Sequence, residues 1–198
     1  DVYIDRNIRR SQNKEYIEYA EVDPKKATVM RIYNKEFNYS FKEQIKSRLL
    51  FSILDKLLFD EVREKDNLVY SISASKYFDQ KIPMELMSFY TYFDSDPKNV
   101  DKIKDKIDLV ISKIKTKDFD LQIFKDQKLV LKNNYQSKLQ SNGFWLNVLT
   151  DARQHNLSIE QITNTDAMLK SISLNDIAKL ANNYFDENYT RTVQLLAE

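Results

Sequence analysis

The stretch that decides the fold is Leu58-Phe-Asp-Glu-Val-Arg63-Glu-Lys-Asp-Asn-Leu-Val-Tyr70-Ser-Ile-Ser-Ala74. Its first residues close an apolar helix, its middle residues form a short polar turn, and its last residues begin a strand in which apolar and serine side chains alternate. The pattern therefore predicts a helix–turn–strand unit. This unit would bring the guanidinium of Arg63 and the phenol of Tyr70 to one edge of the fold.

The helix that leads into this unit has a strong pattern. Ser40 and Glu43 have the spacing of a capping box. Apolar residues recur every four positions over 41–57, and a second apolar ridge runs beside them over 50–62. Such a broad apolar face predicts a helix that is packed deeply in the core.

Strand and helix patterns on both sides of this unit indicate the fold class. We predict strands over 28–33, 68–78, 86–93 and 191–196, with helices that start at Asp96-Pro97, at Leu121 and after Ser173. The order of strand, helix, two strands, several helices and a final strand predicts an α+β domain. Its helices would pack on one face of a mostly antiparallel sheet. We expect residues 1–26 to be a polar lead-in or linker, and residues 27–198 to be the domain, cut off at its own beginning.

Composition excludes several classes of function. The 31 basic residues nearly balance the 30 acidic ones, which gives no electrostatic reason to expect nucleic acid as a partner. The absence of cysteine excludes disulfides and thiolate zinc sites. The most apolar stretch, residues 49–59, is too short to span a bilayer. We interpret the chain as soluble, with the cytoplasm, the periplasm and an organelle all left open as its compartment.

Metal catalysis is the first chemistry to test. The only imidazole is His155, in the context Arg153-Gln-His155-Asn-Leu-Ser-Ile-Glu160. A catalytic zinc usually takes three protein ligands, and this context supplies no such set. With no cysteine and no nucleophile-elbow sequence, nucleophilic catalysis has no better support. We therefore expect no metal and no cofactor in this chain.

Arg63 and Tyr70 remain as candidate site residues. An Arg guanidinium suits main-chain carbonyls or a carboxylate, and a Tyr hydroxyl can donate to a developing oxyanion. A structural interpretation competes with each role. Tyr70 alternates with Ile72 and Ala74, which is typical of a core aromatic, and Arg63 could pair with Asp60 or with carbonyls at the helix end.

The sequence around this pair resembles that of the pitrilysin/insulinase family of zinc metallopeptidases, the inverzincins. Val62-Arg63-Glu64-Lys65-Asp66-Asn67-Leu68-Val69-Tyr70-Ser71 keeps the family's spacing between Arg and Tyr but has Asp66-Asn67 where the family usually has a Gly. Because Asn tolerates the left-handed conformation, we expect the turn to survive. Weaker similarity extends over about residues 27–198, through Asp96-Pro97 and the ending Leu195-Leu-Ala-Glu198.

The resemblance implies that this chain is a C-terminal, non-zinc half. The zinc motif H-x-x-E-H is absent here, so zinc and the general base are expected in the missing half, either of the same protein or of a partner subunit. Arg63 and Tyr70 would then bind a peptide substrate, with Tyr70 as the oxyanion donor, and the isolated chain would be inactive. A non-catalytic subunit that acts in assembly or protein binding is the main alternative. A helical binding module outside the family is the second.

Overall fold

The structure is a computed structural model that describes residues 4–8, 14–21, 25–36, 40–80, 84–155, 157–160, 164–186, 188 and 190–197. The strands are β1 (Lys14–Ala20), β2 (Ala27–Glu36), β3 (Val69–Gln80), β4 (Leu86–Ser95) and β5 (Thr190–Ala197). The helices are α1 (Phe41–Leu58), α2 (Val100–Thr116), α3 (Leu121–Lys138), α4 (Asn142–His155), α5 (Thr165–Ser171) and α6 (Leu174–Tyr184). A π-helical turn, Phe59–Glu64, extends α1, and a 3-10 turn, Pro97–Asn99, precedes α2.

The five strands form one sheet in the order β1-β5-β2-β4-β3. Strands β5, β2, β4 and β3 pair antiparallel with one another in that order, whereas the pairing of β1 with β5 is parallel. The predicted α+β fold with a mostly antiparallel sheet is therefore confirmed. The four strands expected from the sequence all form.

The core lies between one face of this sheet and the helices. Ser40 caps helix α1, and its side chain accepts a hydrogen bond from the Glu43 N–H, which is one of the two bonds of the predicted capping box; the Glu43 carboxylate pairs with Lys46 instead of completing the box. The broad apolar face of α1 is buried. Phe89 of β4 sits at the centre of an aromatic cluster, with its ring stacked on Tyr33 and edge-on to Phe185. Burial of this kind is the main favourable contribution to folding.

The opposite face of the sheet carries polar and aromatic side chains. On β4 these alternate with the buried residues, so that Tyr90, Tyr92 and Asp94 are half-buried while Phe89 and Phe93 are buried. This alternation is what a strand with one face on the core requires. Among the described residues, the helices pack on the side of Phe89 and Phe93, which confirms helices on one face.

Two details differ from the sequence prediction. The lead-in expected over residues 1–26 contains β1, which pairs with β5 at the edge of the sheet. Tyr16, Ile17 and Tyr19 of this strand are largely exposed; with neither face buried, it lacks the period of two that reveals a strand. Because glycine is unfavourable inside a helix, Gly143 predicts a break in the helical pattern that starts at Leu121; the break falls earlier, since α3 ends at Lys138 and Gly143 lies in the first turn of α4.

None of the described helices combines the length and the apolar character that a membrane crossing needs.

Candidate functional site

The π-helical turn Phe59–Glu64 sets the position of Arg63. The Lys65 N–H donates to the Asp60 carbonyl, five residues back, over 3.0 Å. This wider turn leaves Val62 fully buried while Arg63 is exposed. The Arg63 guanidinium lies over the Phe59 ring, 5.2 Å from its centroid. Single π-helical turns of this kind often occur at functional sites.

A compact turn carries the chain from Arg63 to the sheet. The Asn67 N–H donates to the Arg63 carbonyl over 3.0 Å, and the Leu68 N–H donates to the Val62 carbonyl over 3.2 Å. Asn67 has a φ of 49°, in the left-handed region. Asn is one of the few residues with a side chain that adopt this region readily. The expectation that Asn67 could replace a Gly here is therefore met.

A β-bulge sets the direction of Tyr70. Val69 pairs with Ser95 and Ser71 pairs with Asp94, so Tyr70 is an extra residue on β3. Its side chain is 62% exposed, while Ile72 and Ala74 are buried. Bulges often redirect a side chain next to an active site. The interpretation of Tyr70 as a core aromatic is wrong, because the bulge breaks the alternation on which it depended.

The acidic residues near Arg63 are engaged with lysines. Asp60 pairs with Lys56 at 2.6 Å, and Glu61 pairs with Lys113 at 3.0 Å. The hydrogen bond from Lys113 lowers the pKa of Glu61 below its ordinary value. Asp60 is therefore not the partner of Arg63. Among the described residues, no carboxylate forms an ion pair with Arg63, which leaves its donors available.

Lysines also surround the turn and the bulge. Lys106 pairs with Asp66 at 2.7 Å, and this bond lowers the pKa of Asp66. Lys98 pairs with Asp96 at 2.9 Å, and this hydrogen bond raises the pKa of Lys98. Within the described part of the chain, the Arg63 and Tyr70 side chains are joined by no hydrogen bond or ring contact. Arg63 and Tyr70 are therefore two exposed side chains at one end of the sheet.

A carboxylate next to the bulge was missed in the sequence. Asp94 accepts hydrogen bonds from the hydroxyls of Thr28 (2.6 Å), Tyr92 (2.8 Å) and Ser71 (3.0 Å). Burial alone would raise the pKa of Asp94, but these three hydroxyls, with Lys26, lower it below its ordinary value. The signal for Asp94 that the sequence offered was an acidic residue within an aromatic strand, opposite the serine-rich strand that follows Tyr70.

In the described part of the chain, no three His, Cys, Asp or Glu side chains are placed to hold a metal ion. His155 ends α4, and its side chain lies outside the described part. The residues present therefore do not fit the zinc site of the family that the sequence resembles.

A polar cleft of about 720 Å³ opens elsewhere, between α2, the end of α6 and the β1–β5–β2 side of the sheet. Its walls carry internal ion pairs, including Arg31 with Asp108 and Lys104 with Glu15. Burial opposes the charge of Arg31, yet Tyr33 and Asp108 raise its pKa above the ordinary value. The cleft contains neither Arg63 nor Tyr70, so it is a separate feature.

Comparisons with solved structures agree on the fold. The ferredoxin protease FusC, solved as a point mutant in complex with Arabidopsis ferredoxin, has a TM-score of 0.81 at 14% identity, covering 100% of this chain and 22% of FusC. The periplasmic protease PqqL from Escherichia coli gives 0.77 at 16%, covering 94% of this chain and 21% of PqqL. A peptidase M16 inactive domain from Pseudomonas fluorescens gives 0.75 at 16%, covering 93% and 44%. This chain thus spans less than half the length of each.

The family comparison is more specific than the structural one. No curated protein matches the sequence. The family model described as the peptidase M16 inactive domain matches residues 6–131, more than half of the chain. The match starts before β1, so the strand that the sequence prediction missed lies within it. The chain therefore belongs to the peptidase M16 family, as the inactive, C-terminal type of domain, which confirms the resemblance to pitrilysin-like proteins.

Proposed function

We propose that this chain is the substrate-binding, non-zinc half of a zinc metalloendopeptidase. The observation that carries the proposal is the bulge that turns Tyr70 out to 62% exposure, on the strand that follows the exposed Arg63. A tyrosine outside the core and an arginine that forms no ion pair among the described residues are the groups expected of a binding surface.

Arg63 would bind the peptide main chain. Its guanidinium offers several donors in one plane, and such donors match carbonyl oxygens or a carboxylate. The contact with the Phe59 ring holds the side chain above the π-helical turn without using those donors. The acids nearby are already paired with lysines, so a substrate would meet little competition for Arg63.

Tyr70 would donate its hydroxyl to the scissile carbonyl oxygen as negative charge develops there. Such a donor stabilises an oxyanion much more in a dry site than in water. On this chain Tyr70 faces solvent, so a second wall is needed to exclude water. That wall would be the half that carries zinc, and zinc when bound there would supply the activated water.

The test is kinetic and uses the chain together with an H-x-x-E-H-bearing half, in one protein or as a partner subunit. Tyr70→Phe should lower kcat by about 10²–10³-fold, as loss of one oxyanion donor does. Arg63→Ala should lower kcat/KM mainly by weakening binding of the substrate. Tyr19→Phe is a matched control, because Tyr19 is 61% exposed on a distant strand. Wild-type kinetics for both site variants would show that the assignment is wrong.

A non-catalytic subunit is the alternative. The description of the matched family as an inactive domain is equally expected of a subunit that acts only in assembly or protein binding. The two proposals differ in the partner half: H-x-x-E-H with zinc-dependent peptide hydrolysis supports the first. Hydrolysis by this chain alone would contradict both.

A further inference from the structure

The strand around Tyr70 cannot be regular. Val69 and Ile72 are both buried on the helix side of the sheet, at 5% and 9% exposure. On a regular strand, side chains three positions apart point to opposite faces. One extra residue must therefore be accommodated between them, and either Tyr70 or Ser71 could take that place. Burial alone requires a bulge but does not choose its residue.

Asp94 favours one of these two arrangements. Ser71 lies opposite Asp94, and its hydroxyl donates to Asp94 Oδ2 over 3.0 Å. If Ser71 were the extra residue, Tyr70 would lie opposite Asp94 and this hydrogen bond would be lost. Tyr70 in that position would lie over the sheet beside Tyr92 and would not extend into solvent.

The carboxylate is itself held on the other side. Thr28, opposite Asp94 on β2, donates to Oδ1 over 2.6 Å, and Tyr92 donates to Oδ2 over 2.8 Å. Three adjacent strands thus meet at one carboxylate. Charge-assisted hydrogen bonds of this kind are roughly twice as strong as neutral ones. They hold the Asp94 carboxylate in one position, and the register of the bulge is determined relative to it.

We infer that Asp94 is a positioning residue, which selects Tyr70 as the bulged residue and so aims its phenol away from the sheet. Asp94 contacts no reacting atom and acts only through Ser71 and the backbone. The inference rests on the function proposed for Tyr70, and its structural part can be tested without that function.

The structural test is the cross-strand pairing of the 198-residue chain in solution, measured by NOEs between backbone protons of residue 94 and of residues 70 and 71. Asp94→Asn keeps the shape but removes the negative charge and replaces one acceptor oxygen with an NH2 donor, so its bonds to the three hydroxyls become neutral and weaker and one of them must reverse direction. The wild type should show the paired-strand NOE pattern between residues 94 and 71, and Asp94→Asn should lose this pattern and show it between residues 94 and 70 instead. Thr28→Val, which removes a hydroxyl on the far side, is the control that should keep 94–71.

Ser71→Ala is the second variant and decides the matter if Asp94→Asn does not fold. It removes the donor and keeps the carboxylate, so it should also shift the pairing toward 94–70. Retention of the wild-type pairing in every folded variant would overturn the inference.

The kinetic test is a double-mutant cycle in the chain joined with the zinc-bearing half. Asp94→Asn should lower kcat by at least about tenfold with KM little changed, because a donor needed in the transition state is misdirected. In the Tyr70→Phe background, Asp94→Asn should add no further loss. An equal loss in both backgrounds would refute action through Tyr70. If Tyr70→Phe alone has no effect, the proposed function fails, and the NOE pattern still decides whether Asp94 sets the bulge.

Discussion

Replacement of Phe89 by Leu should destabilise the fold by about 2–3 kcal/mol. The side chain is fully buried, and its ring contacts four others, with centroid distances of 4.9 Å to Tyr33, 4.9 Å to Phe51, 5.2 Å to Phe185 and 5.6 Å to Tyr184. Leucine keeps most of the apolar burial but loses four ring pairs, which at the lower value of about 0.5 kcal/mol each amount to about 2 kcal/mol, and it leaves a small void that adds to the loss.

Urea unfolding monitored by circular dichroism measures this loss directly. The midpoint should fall while the slope stays constant, because the surface exposed on unfolding hardly changes. For a domain of this size the melting temperature should drop by about 4–12 °C. Leu146→Ala is the control, since Leu146 is 69% exposed and its loss should cost no more than about 0.5 kcal/mol. A loss below about 1 kcal/mol for Phe89→Leu would refute the packing described here.

Three further predictions concern single positions. Asn67→Ala should destabilise by about 1 kcal/mol in thermal unfolding, because alanine tolerates the left-handed φ of 49° less well, whereas Asn67→Gly should be nearly neutral; equal stability of both would contradict the turn geometry. Ser173→Ala removes the capping box with Asp176 and should cost about 0.5–2 kcal/mol, and an unchanged urea midpoint would argue against that cap. The pKa of Asp94 is lowered by folding, so its contribution is present above the unfolded value of about 3.9 and disappears as pH falls through the folded value. The stability difference between wild type and Asp94→Asn should therefore shrink below about pH 4, and a difference that grows there would reverse the assigned direction.

Elements with strong local signals were predictable from the sequence. Helix α1 and its cap at Ser40 follow from apolar period and capping chemistry, both of which are local. The position of Arg63 after an apolar helix follows for the same reason. Strand β1 could not be predicted, since its place depends on backbone pairing with β5, at the far end of the chain.

The orientation of the Tyr70 side chain could not be predicted from the sequence either. Alternation with Ile72 predicted that the Tyr70 ring is buried. Only the register of β3 against β4 shows the bulge that turns this ring out to solvent. Asp94 was missed for a related reason, because its three hydroxyl partners come from three strands. Local sequence patterns predict the helix and strands that carry this site, whereas cross-strand pairing determines the orientation of its side chains.

The place of β5 in the sheet has a consequence for synthesis of the protein. This strand is inserted between β1 and β2, and it pairs Arg191 with Lys14 and Thr192 with Arg31. Both of its neighbours leave the ribosome long before it does, so their edges toward β5 stay open until it arrives. Contacts between residues so distant in sequence also slow folding. A nascent chain therefore depends on protection of two open strand edges, and truncation before β5 should leave a species prone to aggregation.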